Sequence, residues 1–374
     1  MPREYQICTR CIMDTSDPDI TFDQNGYCNH CTQALIKLNK NKFANDDERL
    51  KHLNRIINKI KKSGKNKKYD CIIGLSGGVD SSYLAYIVVK KLGLRPLAVH
   101  VDNGWNSELS VKNIENIVKK LGIDLYTYVI DWEEFKDLQR AYLKASVIDI
   151  EVLSDNAIVI AIHKLLKKYK LKYFLIGYNY QTESIMPASW LYSNKFDSLN
   201  IKSIYKKFGT GLKLKTYPLL SFWEYIVYRF FDKSRSINIL DLFPYNKQDA
   251  INILHKELDW QDYGGKHYES KITKIYQGYI LPKKFNIDKR RAHLSSLFVS
   301  GQISREEALE KIKENLYEEK ELKEDIEFFC KKLDIFREEF DEILSASPIP
   351  HYAYPSYNKI IDRLIALKRK VFSL

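Results

Sequence analysis

Cys71-Ile-Ile-Gly-Leu-Ser-Gly-Gly-Val-Asp-Ser-Ser82 decides the fold of this 374-residue chain. Its opening residues form a short apolar run of the kind that builds a buried strand, and the residues after Val79 carry the apolar periodicity of a helix. Between them, the adjacent Gly77 and Gly78 let the backbone turn tightly and approach a ligand closely. Amides at the start of the following helix, with the hydroxyls of Ser76, Ser81 and Ser82, then donate toward one point, as a cradle for a phosphate chain requires. Asp80 would repel bare phosphate unless Mg²⁺ bridges the two, so it is assigned to that metal. The chain contains neither G-x-x-x-x-G-K-[ST] nor G-x-G-x-x-G, so neither a Walker loop nor a dinucleotide fingerprint accounts for the segment. A glycine turn of purely structural use would leave the serines and aspartate at one helix start unexplained.

Outward from this stretch, short apolar runs (Cys71–Leu75, Leu97–Val101, Leu125–Ile130, Tyr173–Ile176) alternate with helical periodicity (Val79–Leu92, Leu109–Leu121, Asn156–Tyr169). That alternation predicts an α/β fold with a doubly wound parallel sheet, whose ligands bind at the carboxyl ends of the strands. Two further strand ends therefore matter. Val99-His-Val-Asp-Asn-Gly104 offers Val101 and Asp102, although a turn aspartate is an equal reading of Asp102. Ile176-Gly-Tyr-Asn-Tyr-Gln-Thr-Glu183 offers Gly177 for close approach of a nucleotide, with Asn179, Gln181 and Glu183 to orient an acceptor or nucleophile, or simply to form a polar loop. Further on, Gly264-Gly-Lys-His-Tyr-Glu-Ser-Lys271 groups Lys266, His267, Glu269 and Lys271. These suit neutralisation of charge on phosphate in a transition state, against the default of a solvated loop.

Four of the six cysteines form two C-x-x-C pairs, Cys8/Cys11 and Cys28/Cys31, sixteen residues apart. Each pair turns two thiolates toward one centre, and together they predict a closed structural zinc site rather than a catalytic one. Paired disulfides are the alternative, disfavoured in a reducing compartment. His30 lies between two ligands, as a solvated side chain or a substitute ligand.

Lys+Arg 60 against Asp+Glu 48 leaves a net charge of +12, which attracts anions without naming one. The hydrophobic fraction of 45% and charged fraction of 29% exclude a disordered chain. No apolar run approaches the length that spans a bilayer, and Met1–Arg10 has no signal-peptide core, so a cytoplasmic protein without membrane insertion is expected. The domains expected are a ribbon over 1–40, a basic helix and linker over 41–68, the α/β domain over 69–285 and a helical region over 286–374. Within the last, Ser304-Arg-Glu-Glu307 reads as a capping box.

Ser76-Gly-Gly-Val-Asp-Ser81 resembles the PP-loop of the ATP pyrophosphatase superfamily, an adenine-nucleotide alpha hydrolase-like fold that includes GMP synthetase and asparagine synthetase. The resemblance implies cleavage of ATP between its α- and β-phosphates, adenine read by the strand ending at Val101, and an acidic residue at Asp102. Across nearly the whole chain the sequence is similar to the N-acetyl sugar amidotransferases of the WbpG and PseA type. That likeness rests on Cys8-Thr-Arg-Cys11-Ile-Met-Asp-Thr-Ser-Asp-Pro-Asp19 with Asn29-His-Cys31, the PP-loop, Gly264-Gly-Lys-His-Tyr-Glu-Ser270 and Asp288-Lys-Arg-Arg-Ala-His-Leu-Ser295. Val152-Leu-Ser-Asp155 lacks the cysteines of some relatives, and no glutaminase domain is fused.

The resemblance implies an ATP- and Mg²⁺-dependent ligase that adenylates a sugar acetamido oxygen and lets ammonia displace AMP, giving an acetamidino sugar for lipopolysaccharide O-antigen or flagellar nonulosonic acid. Ammonia would come from a separate class I glutaminase subunit of the HisH type, because Cys71 lies in a strand and Cys330 in a charged helix. The rivals are a tRNA-modifying thiolase or lysidine-type ligase, and a non-catalytic nucleotide-binding scaffold. A thiolase needs reactive cysteines at the nucleotide, which Cys71 and Cys330 serve badly, and the intact Ser76, Asp80 and Ser81 speak against a degenerate site.

Overall fold

In the computed structural model, which describes residues 4–40, 42–263 and 269–363, five parallel strands form one sheet. They are β1 (Cys71–Gly74), β2 (Pro96–Asp102), β3 (Asp124–Val129), β4 (Tyr173–Ile176) and β5 (Arg235–Asn238), in the order β3-β2-β1-β4-β5. The order reverses between β1 and β4. At such a switch point the crossover helices leave to opposite faces and open a crevice at the strand ends.

Alternation along the strands divides the core. Cys71, Ile73, Ala98 and Leu175 pack on one face with Ile60, Leu84, Ile117 and Leu254 from four helices, Asp46–Gly64, Val79–Tyr86, Glu108–Leu121 and Lys247–Leu258. Ile72, Leu97 and Val99 pack on the other, against Ile162, Leu165 and Leu166 of the helix Val152–Lys168. Helix boundaries follow local chemistry. Ser107 accepts from the Ser110 amide to cap the helix Glu108–Leu121, which stops at Gly122 with φ of 62°. Ser304 and Glu307 form the expected capping box. Val152–Asp155 forms the first turn of its helix rather than preceding it. β5 was not expected, since it is a four-residue edge strand in which only Ile237 is apolar.

A third buried cluster joins the parts of the chain. It runs from Met13 and Ile20 of the ribbon through Trp105, Phe135 and Trp190 to Tyr276, Phe329 and Phe340 of the carboxyl-terminal helices. No helix among the described residues is long and apolar enough to cross a membrane.

Candidate active site

The Ser76–Ser82 stretch leaves β1 as a turn organised by its own side chains. Ser81 Oγ receives the Ser76 amide at 3.2 Å and lies 3.1 Å from Ser76 Oγ, which in turn receives the Gly78 amide at 3.3 Å. Gly77 has φ of 86°, and a Cβ there would lie 2.9 Å from the Ser110 carbonyl, so only glycine fits. Its carbonyl is held by Trp260 Nε1 at 2.7 Å and the Tyr263 hydroxyl at 2.6 Å. Gly177, at the end of β4, packs so close that a Cβ would sit 3.2 Å from the Asp80 carbonyl and Ser81 amide. Strand β4 and the helix beginning at Val79 therefore meet backbone to backbone at the switch point.

Two adjoining cavities open here, of about 710 and 620 Å³, sharing Ser76, Ser81, Asp155, Gly177, Glu183 and Glu269 as walls. The larger is lined by Gly78 and Asp80 and, opposite them, by Arg290, His293 and Lys311 from the carboxyl-terminal helices. The smaller has apolar walls from Val99, Val101, Ile158, Phe174 and Ile176, with Asn103, Asn106 and Gln139 at its polar side. Chemically, this is a loop of amide and hydroxyl donors beside an apolar slot wide enough for a planar base, with carboxylates at the junction.

The structure sorts the expected site residues. Ser76, Gly78, Asp80, Ser81, Val101, Gly177, Glu183 and Glu269 all line the cavities. Glu269 is carried there because its carbonyl accepts from the Ser107 amide, Ser270 pairs with Asn106, and the Lys271 amide donates to Trp105. Its carboxylate comes within 3.0 Å of where a Cβ on Gly78 would sit. Five expectations need correcting. Ser82 is fully buried and lines neither cavity, since it points into the helix packing. Asp102 accepts from the Gly104 amide and Asn106 Nδ2, and so shapes the turn after β2. Asn179 is buried, capping the Thr182 amide and donating to Asp80 at 3.3 Å, rather than facing an acceptor. Gln181 is turned away from both cavities, its carbonyl bound by Ser300. Lys271 faces Asp325, 3.8 Å away, at a half-exposed position off the cavity walls. Lys266 and His267 lie outside the described residues.

Sequence reading missed Tyr245, which also holds Asp80, and the ion pairs that flank the cleft. Tyr245, hidden in the turn-rich Phe243–Asn246, donates its hydroxyl to Asp80 Oδ1. Burial first, then the Asp80 charge, keep that phenol far above its ordinary pKa, so it remains a donor. Asp155 lies at the junction of the cavities, 3.0 Å from Lys195, which also binds the buried Asp149 at 2.8 Å. Burial raises the Asp155 carboxyl, with Asp149 and Glu151 adding to the effect and Lys195 opposing it. Lys289 pairs with Glu151 at 2.9 Å. Arg290, by contrast, is held by Asp288 and by the Ile312 and Glu314 carbonyls. The motif Asp288–Ser295 was legible as a segment, but nothing local to it says that it folds over the strand ends.

The four ribbon cysteines are buried, reduced, and have all their Sγ atoms within 4.8 Å of one another. Cys8 and Cys31 are 3.8 Å apart, and Cys11 and Cys28 3.6 Å. A tetrahedron with zinc–sulfur bonds of about 2.3 Å has edges of about 3.8 Å, so the donor set fits that metal and is far from disulfide distance. His30 is neither a ligand nor solvated, since its Nε2 contacts Asp17 at 2.5 Å. The ribbon is anchored to the carboxyl-terminal helices: Arg305 donates to the Cys8 carbonyl at 3.0 Å, and Arg291 pairs with Asp14 at 3.0 Å.

Comparison with known proteins finds matches to two separate segments of the chain. The family model described as LPS biosynthesis protein WbpG-like, C-terminal domain, matches residues 269–368, and one described as NAD synthase matches residues 50–156. The chain is 27% identical over 173 residues to the uncharacterized protein MJ1599 of Methanocaldococcus jannaschii, covering 46% of this chain and 58% of that one. It is 31% identical over 107 residues to GMP synthase [glutamine-hydrolyzing] of Wigglesworthia glossinidia brevipalpis, covering 28% and 19%. To tRNA(Ile)-lysidine synthase of Chlamydia pneumoniae it is 36% identical over 78 residues, covering 20% and 24%. The chain thus spans less than two thirds of the length of each of these relatives. Residues 50–156, which carry the PP-loop, thus resemble an ATP pyrophosphatase-type domain, and residues 269–368 resemble a WbpG-like carboxyl-terminal domain.

Proposed function

We propose that this protein is a PP-loop enzyme of the WbpG type that adenylates the carbonyl oxygen of a sugar N-acetyl group and replaces that oxygen with ammonia, releasing pyrophosphate and AMP. The observation that carries the reading is the meeting of the two matched segments at one cleft. Ser76, Asp80 and Ser81 from one face Glu269, His293 and Lys311 from the other. A PP-loop shared with unrelated acceptors is thereby closed by the WbpG-like part, which is where an acceptor sugar must be read.

The chemistry follows from the weakness of an amide as an electrophile. Its oxygen attacks the α-phosphorus of ATP, the α–β bridge breaks, and pyrophosphate leaves from the Ser76–Ser81 loop. Ammonia then adds to the imidate carbon, the carbon–oxygen bond breaks, AMP departs with the former carbonyl oxygen, and the nitrogen loses its surplus proton. Mg²⁺, when bound, neutralises charge on the phosphates. Asp80 would hold it, with Tyr245 and Asn179 fixing the carboxylate. The apolar slot at Val101 and Ile176 receives the adenine, and Asp155, Glu183 and Glu269 surround the point where the bonds change. Cys8, Cys11, Cys28 and Cys31 hold one structural zinc, which has no open position for chemistry.

Ammonia comes from a separate glutaminase subunit. Outside the ribbon the thiols are Cys71, fully buried in β1, and Cys330, 7% exposed, and burial raises both above the ordinary thiol value. Neither is a nucleophile at a surface.

The test is the purified chain with ATP, Mg²⁺, ammonium and a panel of N-acetylated nucleotide-linked or nonulosonic sugars. The expected products are AMP, pyrophosphate and a sugar lighter by about one mass unit, because NH replaces O. Glutamine in place of ammonium gives nothing until a glutaminase is added. ADP and orthophosphate as products, or adenylation of tRNA with no reaction on any sugar, would overturn the reading.

A further inference from the structure

We propose that the end of the molecule at the amino termini of β1, β4 and β5, opposite the cleft, docks on an anionic lipid bilayer. Among the described residues, the helix beginning at Phe222 and running on to Phe231 packs through its inner side. Tyr225 is buried against Tyr357 and Ile361, and Tyr228 lies against Phe196 and His163. Its outer side carries Trp223, Val227, Phe230 and Phe231, which are 74%, 54%, 53% and 69% exposed. Their spacing of four, three and one puts them on one stripe of the helix.

Around this stripe the surface is basic. The helix Val152–Lys168 ends in Lys164, Lys167 and Lys168, strand β4 is entered through Lys172, and β5 through Lys233 and Arg235, all exposed. The elements are neighbours: the Arg235 amide donates to the Lys172 carbonyl at 2.8 Å, and Lys67 reaches the Lys170 carbonyl at 2.6 Å. That second contact brings in the 61–68 run of lysines, which the catalytic reading leaves without a role. Four of the nearby acids are already engaged. Asp70 is bound by Arg95, Asp124 by Lys68, Asp232 by His163, and Glu224 closes its own capping box. An apolar helical stripe rich in tryptophan and phenylalanine, flanked by excess lysine and arginine, is what an interface between anionic headgroups and acyl chains accommodates.

RNA would also be drawn to this charge. A stripe that includes Val227 and repeats with the helix offers insertion into an apolar layer rather than separate platforms for stacked bases. Docking at the amino ends of the strands leaves the cleft at their carboxyl ends open to solvent.

The experiment is flotation of the full chain with vesicles of phosphatidylcholine alone or with about 30% phosphatidylglycerol, including brominated acyl chains. Wild type should float with the anionic vesicles at least tenfold more than with neutral ones, and detach at high salt. Bromine should quench the exposed Trp223, while Trp105, Trp190 and Trp260 are fully buried. Trp223→Ser/Phe230→Ser/Phe231→Ser should lose flotation at least tenfold with its circular dichroism and any solution ATP turnover unchanged. Lys164→Gln/Lys167→Gln/Lys168→Gln, which leaves the apolar stripe unchanged, should weaken it and flatten the salt dependence. No flotation of wild type, equal flotation of both variants, or an RNA mobility shift lost in them with vesicles unbound would overturn the proposal.

Discussion

The Tyr245 hydroxyl donates to Asp80 Oδ1 across 165 residues of chain, and Asn179 donates to the same oxygen at 3.3 Å. Two buried neutral donors thus fix one oxygen of a carboxylate at the start of the phosphate loop. A carboxylate oriented in this way pays no ordering cost when it meets a cation.

Tyr245→Phe keeps the ring and removes the donor. ATP turnover should fall about tenfold and the Mg²⁺ concentration for half-maximal turnover should rise, while stability drops by about 1 kcal/mol. Asp80→Ala should abolish turnover with the fold intact. A magnesium titration of both variants checks this; an unchanged requirement in Tyr245→Phe would make the contact purely structural.

Glu269 and Lys271 are two residues apart and should behave differently. Glu269→Gln changes the charge at the loop and should lower turnover at least tenfold, about 1.4 kcal/mol. Lys271→Ala loses a long 3.8 Å pair with the buried Asp325, which Lys274 still holds at 2.7 Å, and should stay within threefold of wild type, with stability changed by less than about 1 kcal/mol. Steady-state kinetics on both separates the cavity wall from the surface.

One zinc per chain should be found by metal analysis. Cys8→Ser should lose it and unfold at lower denaturant, because ligand bonds contribute folding free energy directly. Arg305→Ala should keep the metal yet cost about 1–3 kcal/mol, since it strips donors from the Cys8 and Cys11 carbonyls. Fully folded, metal-free protein would contradict the site.

His351 should impose an acid-side loss of stability. Its Nε2 accepts from the Asp149 amide at 3.3 Å and its Nδ1 lies 3.2 Å from Asn200 Oδ1, a pairing suited to the neutral ring. Burial pushes its pKa down to about 4, against about 6.5 unfolded. Between these values the unfolded chain binds the extra proton, so stability rises with pH over the window and falls by about 2 kcal/mol from pH 6.5 to 5. Asp241, raised by burial to about 6, acts in the opposite sense from about pH 4 to 6. Denaturant unfolding of wild type against His351→Gln therefore isolates the histidine: the variant should lack its part of the slope.

Sequence alone determined what depends on neighbours along the chain. The strand–turn–helix at Cys71–Ser82 was legible because apolar alternation, paired glycines and a helix start are all local, and the two C-x-x-C pairs because each is a single turn. The parallel sheet followed from the repetition of such units. What only the tertiary structure decided is which distant side chains share a space. Tyr245 sits in a turn whose proline and asparagine advertise loop and nothing else, yet it reaches Asp80. Lys271 and Glu269 look alike in a charged cluster, but the bridge of Ser270 to Asn106 turns one toward the phosphate loop and leaves the other beside Asp325. Asn179 reads as a polar loop residue and is consumed by a cap. The carboxyl-terminal helices show in their sequence only a periodic apolar face, and periodicity says that a face is buried without saying against what. That choice is made by packing among elements far apart in the chain, which here brings Arg290, His293 and Lys311 over the strand ends and completes the cleft.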